Sequence, residues 1–294
     1  MQPILVTGAN GFLGRQLVAE LERQGLAWRA AQVGRIGPDT DWRAALSGTR
    51  IVIHCAGIAH ADSPDPQELQ RVNVLGTRRL AEQAAASGVQ RLVFASSVKA
   101  MGEHTPAGES WTEQSPCAPQ DAYGRSKLDA ERSLREVEAN SSLEVVVLRM
   151  PLLYGPGVRA NLRRLLDAVR FGRPLPLGAV RNQRSLLAAA NAAHALLHIA
   201  RHPAARGRVF LAQDQTLSSA ELARVLAEAL GKRAHLWKIP PALLWLLPIS
   251  RAALHRLTAS LVVNDSLLRQ EFGWTPAHDP RAEWLRTAQP THPA

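Results

Sequence analysis

A glycine loop near the start of the chain restricts the fold more than any other feature of the sequence. Gly8, Gly11 and Gly14 lie between the short apolar run 3–7 and a stretch in which apolar residues recur at helical spacing as far as Gly25. Glycines at this spacing allow a sharp strand-to-helix turn, a close approach of the backbone to a pyrophosphate, and tight packing of helix on strand. The N–H groups and the dipole at the start of the helix attract phosphate. The sequence therefore predicts a dinucleotide-binding loop made of Thr7, Gly8, Asn10, Gly11, Phe12, Leu13 and Gly14.

Apolar runs typical of strands alternate with helical stripes over the first 150 residues. The continuous apolar run at 51–55 is typical of a strand buried on both faces of a parallel sheet. Further strands are predicted at 27–33, 91–95 and 143–148, and helices at 12–24, 69–86 and 121–139. This order predicts an α/β fold with a Rossmann-type doubly wound parallel sheet, whose ligand lies at the carboxyl ends of the strands.

Beyond Pro151 the alternation weakens, because prolines at 151, 156, 174, 176, 240, 241 and 248 divide the chain into shorter pieces. We expect residues 1–155 to form an NAD(P)-binding Rossmann domain and residues 156–294 a smaller substrate-binding lobe. Segments around 184–215 are expected to return to the first domain. The tail from about Thr287 is predicted to be disordered.

Bulk composition excludes several classes of protein. No run approaches the ~20 apolar residues that cross a bilayer. The most apolar segment, 239–249, holds three prolines and is predicted to be a buried helix or lobe interface, with contact to a membrane surface as the less favoured alternative. Trp237 and Trp245 are predicted to pack in the core or the lobe, with stacking on a sugar as the alternative. The N-terminus lacks the basic start of a signal peptide, and the widely separated Cys55 and Cys117 suit a reducing cytoplasm. The net charge of +10 comes with arginines spread along the chain, which favours a basic cleft for anionic small molecules over nucleic acid binding. We therefore expect a cytoplasmic protein with no membrane span and no nucleic acid partner.

Tyr123 and Lys127 form the clearest catalytic pattern. They lie one turn apart on one face of the predicted helix 121–139, where an ammonium group would stabilise a phenolate and lower a pKa that is ordinarily near ~10. Tyr123 could then exchange a proton with a sugar hydroxyl or ketone while hydride moves to or from a nicotinamide cofactor. Ser96 and Ser97 follow the strand 91–95 at the ligand edge of the sheet, where a hydroxyl could position the reacting oxygen.

The second predicted strand ends without the acidic residue that ordinarily binds the adenosine ribose in NAD sites. The sequence there is Gln32-Val33-Gly34-Arg35, and an arginine at this place can hold the 2′-phosphate of NADP. Arg35 therefore favours NADP(H) slightly over NAD(H), with a solvated loop arginine as the alternative. Asp41 is a candidate adenine contact.

Five motifs together resemble the extended short-chain dehydrogenase/reductase family, which includes the NAD-dependent epimerases and dehydratases. They are TGANGFLG at 7–14, HCAG at 54–57, VNVLGT at 72–77, FASS at 94–97 and YGRSK at 123–127, and the similarity continues to FGW at 272–274. The chain looks like the branch of UDP-sugar 4-epimerases and UDP-4-keto-sugar 4-reductases of polysaccharide precursor synthesis. The resemblance implies a UDP-sugar substrate and a homodimer built on the helices 69–86 and 121–139.

The resemblance also implies roles for single residues. Ser97, Tyr123 and Lys127 would form the catalytic triad, and Asn73 would support the cofactor and the active site. Cofactor contacts are implied for Cys55, Ala56, Gly57, Asn73, Ala95, Ser96, Tyr123, Lys127 and Met150. Substrate contacts are implied for Ser97, Lys99, Tyr123, Asn161 and Arg184, the last as a partner of the pyrophosphate.

Departures from the family pattern reduce the number of reactions that the chain is expected to catalyse. Val98 and Lys99 stand where dehydratases carry an acid pair, so elimination of water is not expected. Two reactions stay open: NADPH-dependent reduction of a UDP-4-keto-(6-deoxy)-hexosamine, which Arg35 favours, and 4-epimerisation of a UDP-sugar with tightly held NAD. A cofactor- or RNA-binding relative without turnover is the distant alternative. No metal is expected, because His194, His198 and His202 recur at helical spacing without an accompanying carboxylate or cysteine.

Overall fold

A computed structural model describes residues 2–59, 65–240, 243–244 and 251–289. Its strands are β1 (Ile4–Thr7), β2 (Trp28–Ala30), β3 (Ile51–His54), β4 (Arg91–Ser97), β5 (Glu144–Met150), β6 (Leu152–Tyr154), β7 (Arg184–Ala188), β8 (Val209–Leu211) and β9 (Gln215–Leu217). Its α-helices are α1 (Phe12–Arg23), α2 (Arg43–Leu46), α3 (Pro66–Leu69), α4 (Gly76–Ala86), α5 (Ala122–Ala139), α6 (Ala160–Arg170), α7 (Ala189–Arg201), α8 (Ser219–Ala229), α9 (Arg251–Thr258) and α10 (Pro280–Ala288). A π-helical turn, Gln70–Leu75, joins α3 to α4.

The main sheet has six parallel strands in the order β2-β1-β3-β4-β5-β8. The order reverses direction beside β1, so the crevice for a ligand lies at the carboxyl ends of β1, β3, β4 and β5. This arrangement confirms the predicted Rossmann-type fold class. It also brings the glycine loop, the 55–57 segment and the serine pair to one edge, since each of them follows one of these strands.

The two faces of the sheet are covered by different helices, because alternate strand residues point in opposite directions. On one face, Val6 and Val93 pack with α1 and α7. On the other face, Leu5 and Phe94 pack with α2, α4 and α5. Continuous burial of β3, β4 and β5 explains why their sequences read as unbroken apolar runs.

A second sheet, in the order β6-β7-β9, begins directly after β5. The chain leaves the main sheet at Pro151, builds α6 and β7, returns through α7 and β8, and leaves again at β9. In the core of this part, the rings of Tyr154 and Trp284 stack with centroids 3.8 Å apart. The hydroxyl of Tyr154 donates to Asp214 at 3.2 Å, and the other carboxylate oxygen of Asp214 accepts from the backbone of Ala188 at 2.7 Å. The last helix is thereby fixed to the start of the lobe.

Two expectations about the C-terminal part were wrong. Thr287 is 2% exposed within α10, so the tail expected to be disordered does not begin there, and its residues 290–294 lie outside the described residues. Trp237, expected in core or lobe packing, is 59% exposed. Most of the apolar segment 239–249, including Trp245, lies outside the described residues. Among the described residues, no helix is long and apolar enough to cross a bilayer.

Candidate active site

The glycine loop forms the turn between β1 and α1. Gly8 has φ +70°, and a Cβ there would lie 2.8 Å from the backbone of Ala56. A Cβ on Gly14 would collide with the carbonyl oxygen of Gly8. Glycine at position 14 therefore allows α1 to pack directly against the turn that follows β1. Gly11 caps α1 without a side-chain hydrogen bond, and the first turn of α1 carries no acidic residue. The N–H groups of that turn are available to a pyrophosphate, so this loop fits a dinucleotide.

A buried histidine connects the loop to α4. The hydroxyl of Thr7 accepts from the N–H of Ala56 at 3.2 Å and lies 2.6 Å from Nδ1 of His54. Nε2 of His54 lies 2.9 Å from the hydroxyl of Thr77. Burial, and then the charge of Lys127, lowers the pKa of His54 to about 3, so the ring is neutral and donates from one nitrogen while accepting at the other. Sequence reasoning gave His54 no role; a lone polar residue inside an apolar strand was the signal.

The predicted catalytic side chains meet at the ends of β4 and β5. Tyr123 is half-buried near the start of α5, close to Ser97, the last residue of β4. Ser97 pairs in the sheet with Met150, the last residue of β5. One turn along α5, Lys127 is 6% exposed, and its Nζ donates to the carbonyl oxygen of Ala95 at 2.7 Å. The geometry therefore places a tyrosine, a serine and a lysine at the ligand edge of the sheet.

Burial is the largest influence on the pKa values of Tyr123 and Lys127. Burial raises the pKa of Tyr123 to about 12; Asp121 acts in the same direction, and the hydrogen bond with Ser97 opposes both. Burial lowers the pKa of Lys127 to about 8, against the charge of Glu131. The Lys127 ammonium is directed at a backbone carbonyl, and the lowering of the tyrosine pKa expected from Lys127 together with a bound nicotinamide ring stays a prediction. In this arrangement Tyr123 holds its proton at neutral pH.

Asn73 ties the π-helical turn to the catalytic helix. Its amide nitrogen donates to the carbonyl oxygen of Ile58 and to the hydroxyl of Ser126, both at 3.0 Å. Ser126 in turn donates to the carbonyl oxygen of Tyr123 at 2.8 Å. A Cβ on Gly57, whose φ is +154°, would lie 3.0 Å from the amide oxygen of Asn73, so this glycine allows the close approach. Asn73 thus supports the backbone at Ile58 directly and the backbone at Tyr123 through Ser126.

Ser96 does not direct its hydroxyl towards the cleft. It is 3% exposed and donates to Glu131 on α5 at 2.5 Å. Glu131 also forms a buried ion pair with Arg149 on β5, with 2.7 Å between the charged groups. A cofactor contact at Ser96 would therefore use its backbone. Sequence reasoning missed this network, because Glu131 and Arg149 are 18 residues apart and the fold alone makes them neighbours.

Lys99 is held by two carboxylates. Its Nζ lies 2.5 Å from Asp121 and 2.9 Å from Glu103. Burial alone would lower the pKa of Lys99, but the hydrogen bonds with Asp121 and Glu103 outweigh it and the pKa is raised. Asp121 also caps α5 by accepting from the N–H of Gly124 at 2.6 Å. The predicted substrate contact at Lys99 would have to compete with these partners.

A cavity of about 440 Å³ lies beyond the end of β2, where an adenosine ribose would be expected. It is lined by Gln32, Val33, Gly34, Arg35, Gly37, Asp39, Thr40, Asp41 and Arg71. Arg35 is exposed and lies 2.7 Å from Glu68. Asp41 is exposed and paired with Arg43, which together with the backbone of Arg43 lowers the pKa of Asp41 to about 2.

Arg71 was not predicted as a site residue. Its guanidinium lies against Gly37, where a Cβ would come within 3.0 Å of it. Its buried Nη1 has no hydrogen-bond partner within the described part of the chain. A buried guanidinium N–H without a partner is costly, and an anion in the cavity would satisfy it. The signal for Arg71 lay in the fold, because the π-helical turn brings it to the loop after β2.

Other predicted residues lie in the second sheet or at its edge. Asn161 is exposed in the first turn of α6, beside Ala160, whose φ is +53°. Arg184 begins β7 and donates to the carbonyl oxygen of Ala259 at 3.2 Å. Phe12 packs near Gly155, and Leu13 packs into the main core, so these two loop residues support α1.

Across residues 2–59, 65–240, 243–244 and 251–289, no group of three or more His, Cys, Asp and Glu side chains could hold a metal.

Comparison with known proteins agrees with this geometry. The model of the NAD-dependent epimerase/dehydratase family matches residues 4–212. The chain is 37% identical to a UDP-glucose 4-epimerase of Vibrio cholerae, covering 97% of this chain and 94% of that protein. It is 26% identical to a 4-hydroxy-2-methyl-3-oxo-4-farnesyl-3,4-dihydroquinoline-1-oxide ketoreductase of Stigmatella aurantiaca, covering 97% and 96%.

Solved structures share the fold over the same length. MoeE5 in complex with UDP-glucose and NAD superimposes with a TM-score of 0.78 at 25% identity, covering 97% of each chain. The Thermus thermophilus UDP-glucose 4-epimerase in complex with NAD gives the same TM-score at 23% identity, again covering 97% of each chain. The resemblance seen in the sequence motifs is confirmed.

Proposed function

This chain belongs to the NAD-dependent epimerase/dehydratase family, and from that premise we propose that it transfers hydride between a nicotinamide cofactor and C4 of a UDP-sugar. The observation that carries the proposal is that Ser97 at the end of β4, Tyr123 at the start of α5 and Lys127 one turn later meet at the strand ends that also carry the glycine loop. A proton donor at this edge suits reduction of a carbonyl carbon. The proposed enzyme is a cytoplasmic homodimer.

Reduction of a UDP-4-keto-(6-deoxy)-hexosamine is the reaction we propose. The nicotinamide ring, when bound, supplies the hydride. Tyr123, with a pKa of about 12, keeps its proton at neutral pH and donates it to the ketone oxygen at C4. Ser97 holds the same oxygen by a hydrogen bond, and the positive charge of Lys127 stabilises the phenolate that remains.

NADP(H) is the proposed cofactor. Gly8 and Gly14 leave the space that a pyrophosphate needs at the start of α1, and the first turn of α1 faces it with N–H groups. Two guanidinium groups, of Arg35 and Arg71, line the cavity beyond β2. Both groups suit a 2′-phosphate. Arg71 supports the choice of NADP(H) more strongly, because its Nη1 has no partner among the described residues, whereas Arg35 already forms an ion pair with Glu68.

The second candidate reaction is 4-epimerisation of a UDP-sugar with NAD held throughout the cycle. The Vibrio cholerae relative carries that activity in its name, and MoeE5 has been solved with NAD. The same three side chains serve both reactions. What separates them is whether the cofactor must leave after each turnover.

Release of bound nucleotide tests the proposal. The protein is purified without added nucleotide and denatured, and the released material is identified by chromatography and mass spectrometry. A protein that arrives nearly empty, binds NADPH more tightly than NADH and oxidises NADPH with a UDP-4-keto-sugar supports the reductase. Stoichiometric NAD in the purified protein, with interconversion of C4 epimers, contradicts the reductase and establishes the epimerase. A protein that binds the cofactor but turns over neither class of substrate contradicts both.

A further inference from the structure

Positive charge is concentrated in the C-terminal part of the chain. Residues 1–155 contain 16 Lys and Arg against 17 Asp and Glu, a net charge of −1, whereas residues 156–294 contain 19 against 8, a net charge of +11. Arginines occur throughout, so the asymmetry comes from the carboxylates, which are absent from the sequence at 168–213 and 229–264. The net charge of +10 therefore comes from residues 156–294 and not from residues 1–155.

Two of these carboxylate-free segments lie side by side. The N–H of Leu175 donates to the carbonyl oxygen of His235, and the N–H of Trp237 donates to the carbonyl oxygen of Leu175, both at 2.8 Å. Nearer the end of α6, Nζ of Lys232 donates to the carbonyl oxygen of Arg170 at 2.5 Å. The loop after α6 and the segment after α8 therefore form one continuous surface.

That surface exposes large apolar side chains. Phe171 and Trp237 are the two most exposed large apolar side chains of the described residues, at 69% and 59%, and Leu243 follows at 49%. The next residue, Leu244, is buried with Leu177 and Val180 beneath the same surface. The exposed side chains are thus mounted on an ordered core.

Cations lie among these apolar groups. The guanidinium of Arg173 is 5.9 Å from the centre of the Phe171 ring. Arg233 and Lys238 are exposed on the neighbouring segment, on either side of Trp237 in sequence. We call the set Phe171, Arg173, Arg233, Trp237, Lys238 and Leu243 the basic aromatic patch. None of these residues has a part in the proposed active site.

We propose that the basic aromatic patch docks the protein on the surface of an anionic lipid bilayer. Aromatic and leucine side chains enter the headgroup region of a bilayer, while neighbouring lysines and arginines attract the lipid phosphates. A nucleic acid would use the cations and could stack on the rings, but it gives no reason for an exposed leucine beside them. A small anion would need the cations alone. The combination of exposed apolar groups with cations, on two segments that contain no carboxylate, therefore favours lipid.

Vesicle co-sedimentation of the full chain tests the proposal. One set of vesicles contains phosphatidylglycerol in phosphatidylcholine, and the other contains phosphatidylcholine alone, both at ~0.1 M salt. Binding to the anionic vesicles and little binding to the neutral ones is expected. The double variant Phe171→Ser/Trp237→Ser should bind anionic vesicles on the order of tenfold more weakly, and Arg173→Glu/Arg233→Glu/Lys238→Glu on the order of 100-fold more weakly.

Matched controls separate the patch from net charge and from general surface change. Arg201→Glu/Arg206→Glu/Arg208→Glu reverses three exposed arginines in the same carboxylate-free part of the sequence and should leave most binding intact. Leu285→Ser removes another exposed leucine, 48% exposed on α10, and should have no effect. Turnover of a soluble substrate should be unchanged in all patch variants, which shows that they fold and separates this proposal from that of the reaction.

Three outcomes would overturn the lipid surface. Equal binding to neutral and anionic vesicles would remove the role of the cations. Full binding by Phe171→Ser/Trp237→Ser would leave charge alone, as for a nucleic acid site, and single-stranded RNA added as a competitor would then displace the protein. An equal loss in the Arg201, Arg206 and Arg208 control would show that net charge matters and the patch does not.

Discussion

The two ends of the proposed cofactor cleft are built in opposite ways. At the catalytic end, Lys127 donates to the carbonyl oxygen of Ala95, and Asn73 donates to the carbonyl oxygen of Ile58 and to the hydroxyl of Ser126. The side chains of Lys127 and Asn73 are buried. At the adenosine end, Arg35 and Asp41 are exposed and paired with other surface side chains. Buried bonds to backbone fix a geometry, whereas exposed ion pairs contribute little and exchange readily. In the proposed enzyme, the fold would therefore set the chemistry, and a few exposed side chains would set the choice of cofactor.

The largest expected effect is at the catalytic end. Tyr123→Phe keeps the ring and removes the proton donor, so kcat should fall by on the order of 1000-fold. Binding of the cofactor, measured by titration of intrinsic fluorescence, should change little. Turnover within a few-fold of the original would assign the proton to another group and would remove the contrast between the two ends.

The free energy of unfolding should also change by different amounts when an ion pair is removed at each end of the cleft. Glu131→Gln leaves the buried guanidinium of Arg149 without its counter-charge and should lower the free energy of unfolding by about 3–5 kcal/mol. Glu68→Gln at the adenosine end removes the partner of Arg35 and should cost less than about 1 kcal/mol. Urea unfolding measures the free energy of unfolding of both variants, and similar losses in the two would contradict this difference between the ends of the cleft.

The pH dependence of the reaction should report the catalytic end. The pKa of Lys127 is lowered to about 8, so its ammonium is fully charged below that pH and loses its proton above it. Tyr123, at about 12, stays protonated over the same range. The rate of ketone reduction should therefore fall above pH ~8, approaching tenfold per pH unit. Lys127→Arg, whose charge persists, should move this fall to higher pH; an unchanged profile would assign it to another group.

The smallest effect is expected at the adenosine end, on the selectivity between NADPH and NADH. Arg71→Met removes the guanidinium that lacks a partner and should weaken NADPH binding about tenfold, with NADH binding unchanged. Arg132→Met, an exposed arginine on α5, is the matched control. Equal weakening of NADPH and NADH would place Arg71 outside a 2′-phosphate site and would leave Arg35 as the remaining cation for it.

Local patterns predicted the Rossmann part of the molecule well. The unbroken apolar run at 51–55 and the stripe after Gly11 predicted β3 and α1 to within a residue or two, because burial on one or two faces leaves a direct trace in sequence. The same reasoning misjudged Trp237 and Thr287. Apolar character does not reveal whether a tryptophan has a neighbour to pack on, and a polar tail does not reveal that a helix is fixed by distant side chains.

The sequence by itself determined the doubly wound sheet, the glycine loop, and the serine, tyrosine and lysine of the candidate site, because these depend on spacing along one strand or one helix. The tertiary structure decided which charges neutralise each other and which side chains are left over. Glu131 meets Arg149, Asp121 meets Lys99, and Nη1 of Arg71 meets no partner among the described residues. Such pairings depend on distances between elements remote in the chain, and electrostatic energy depends on distance and burial in three dimensions and not on order along the sequence.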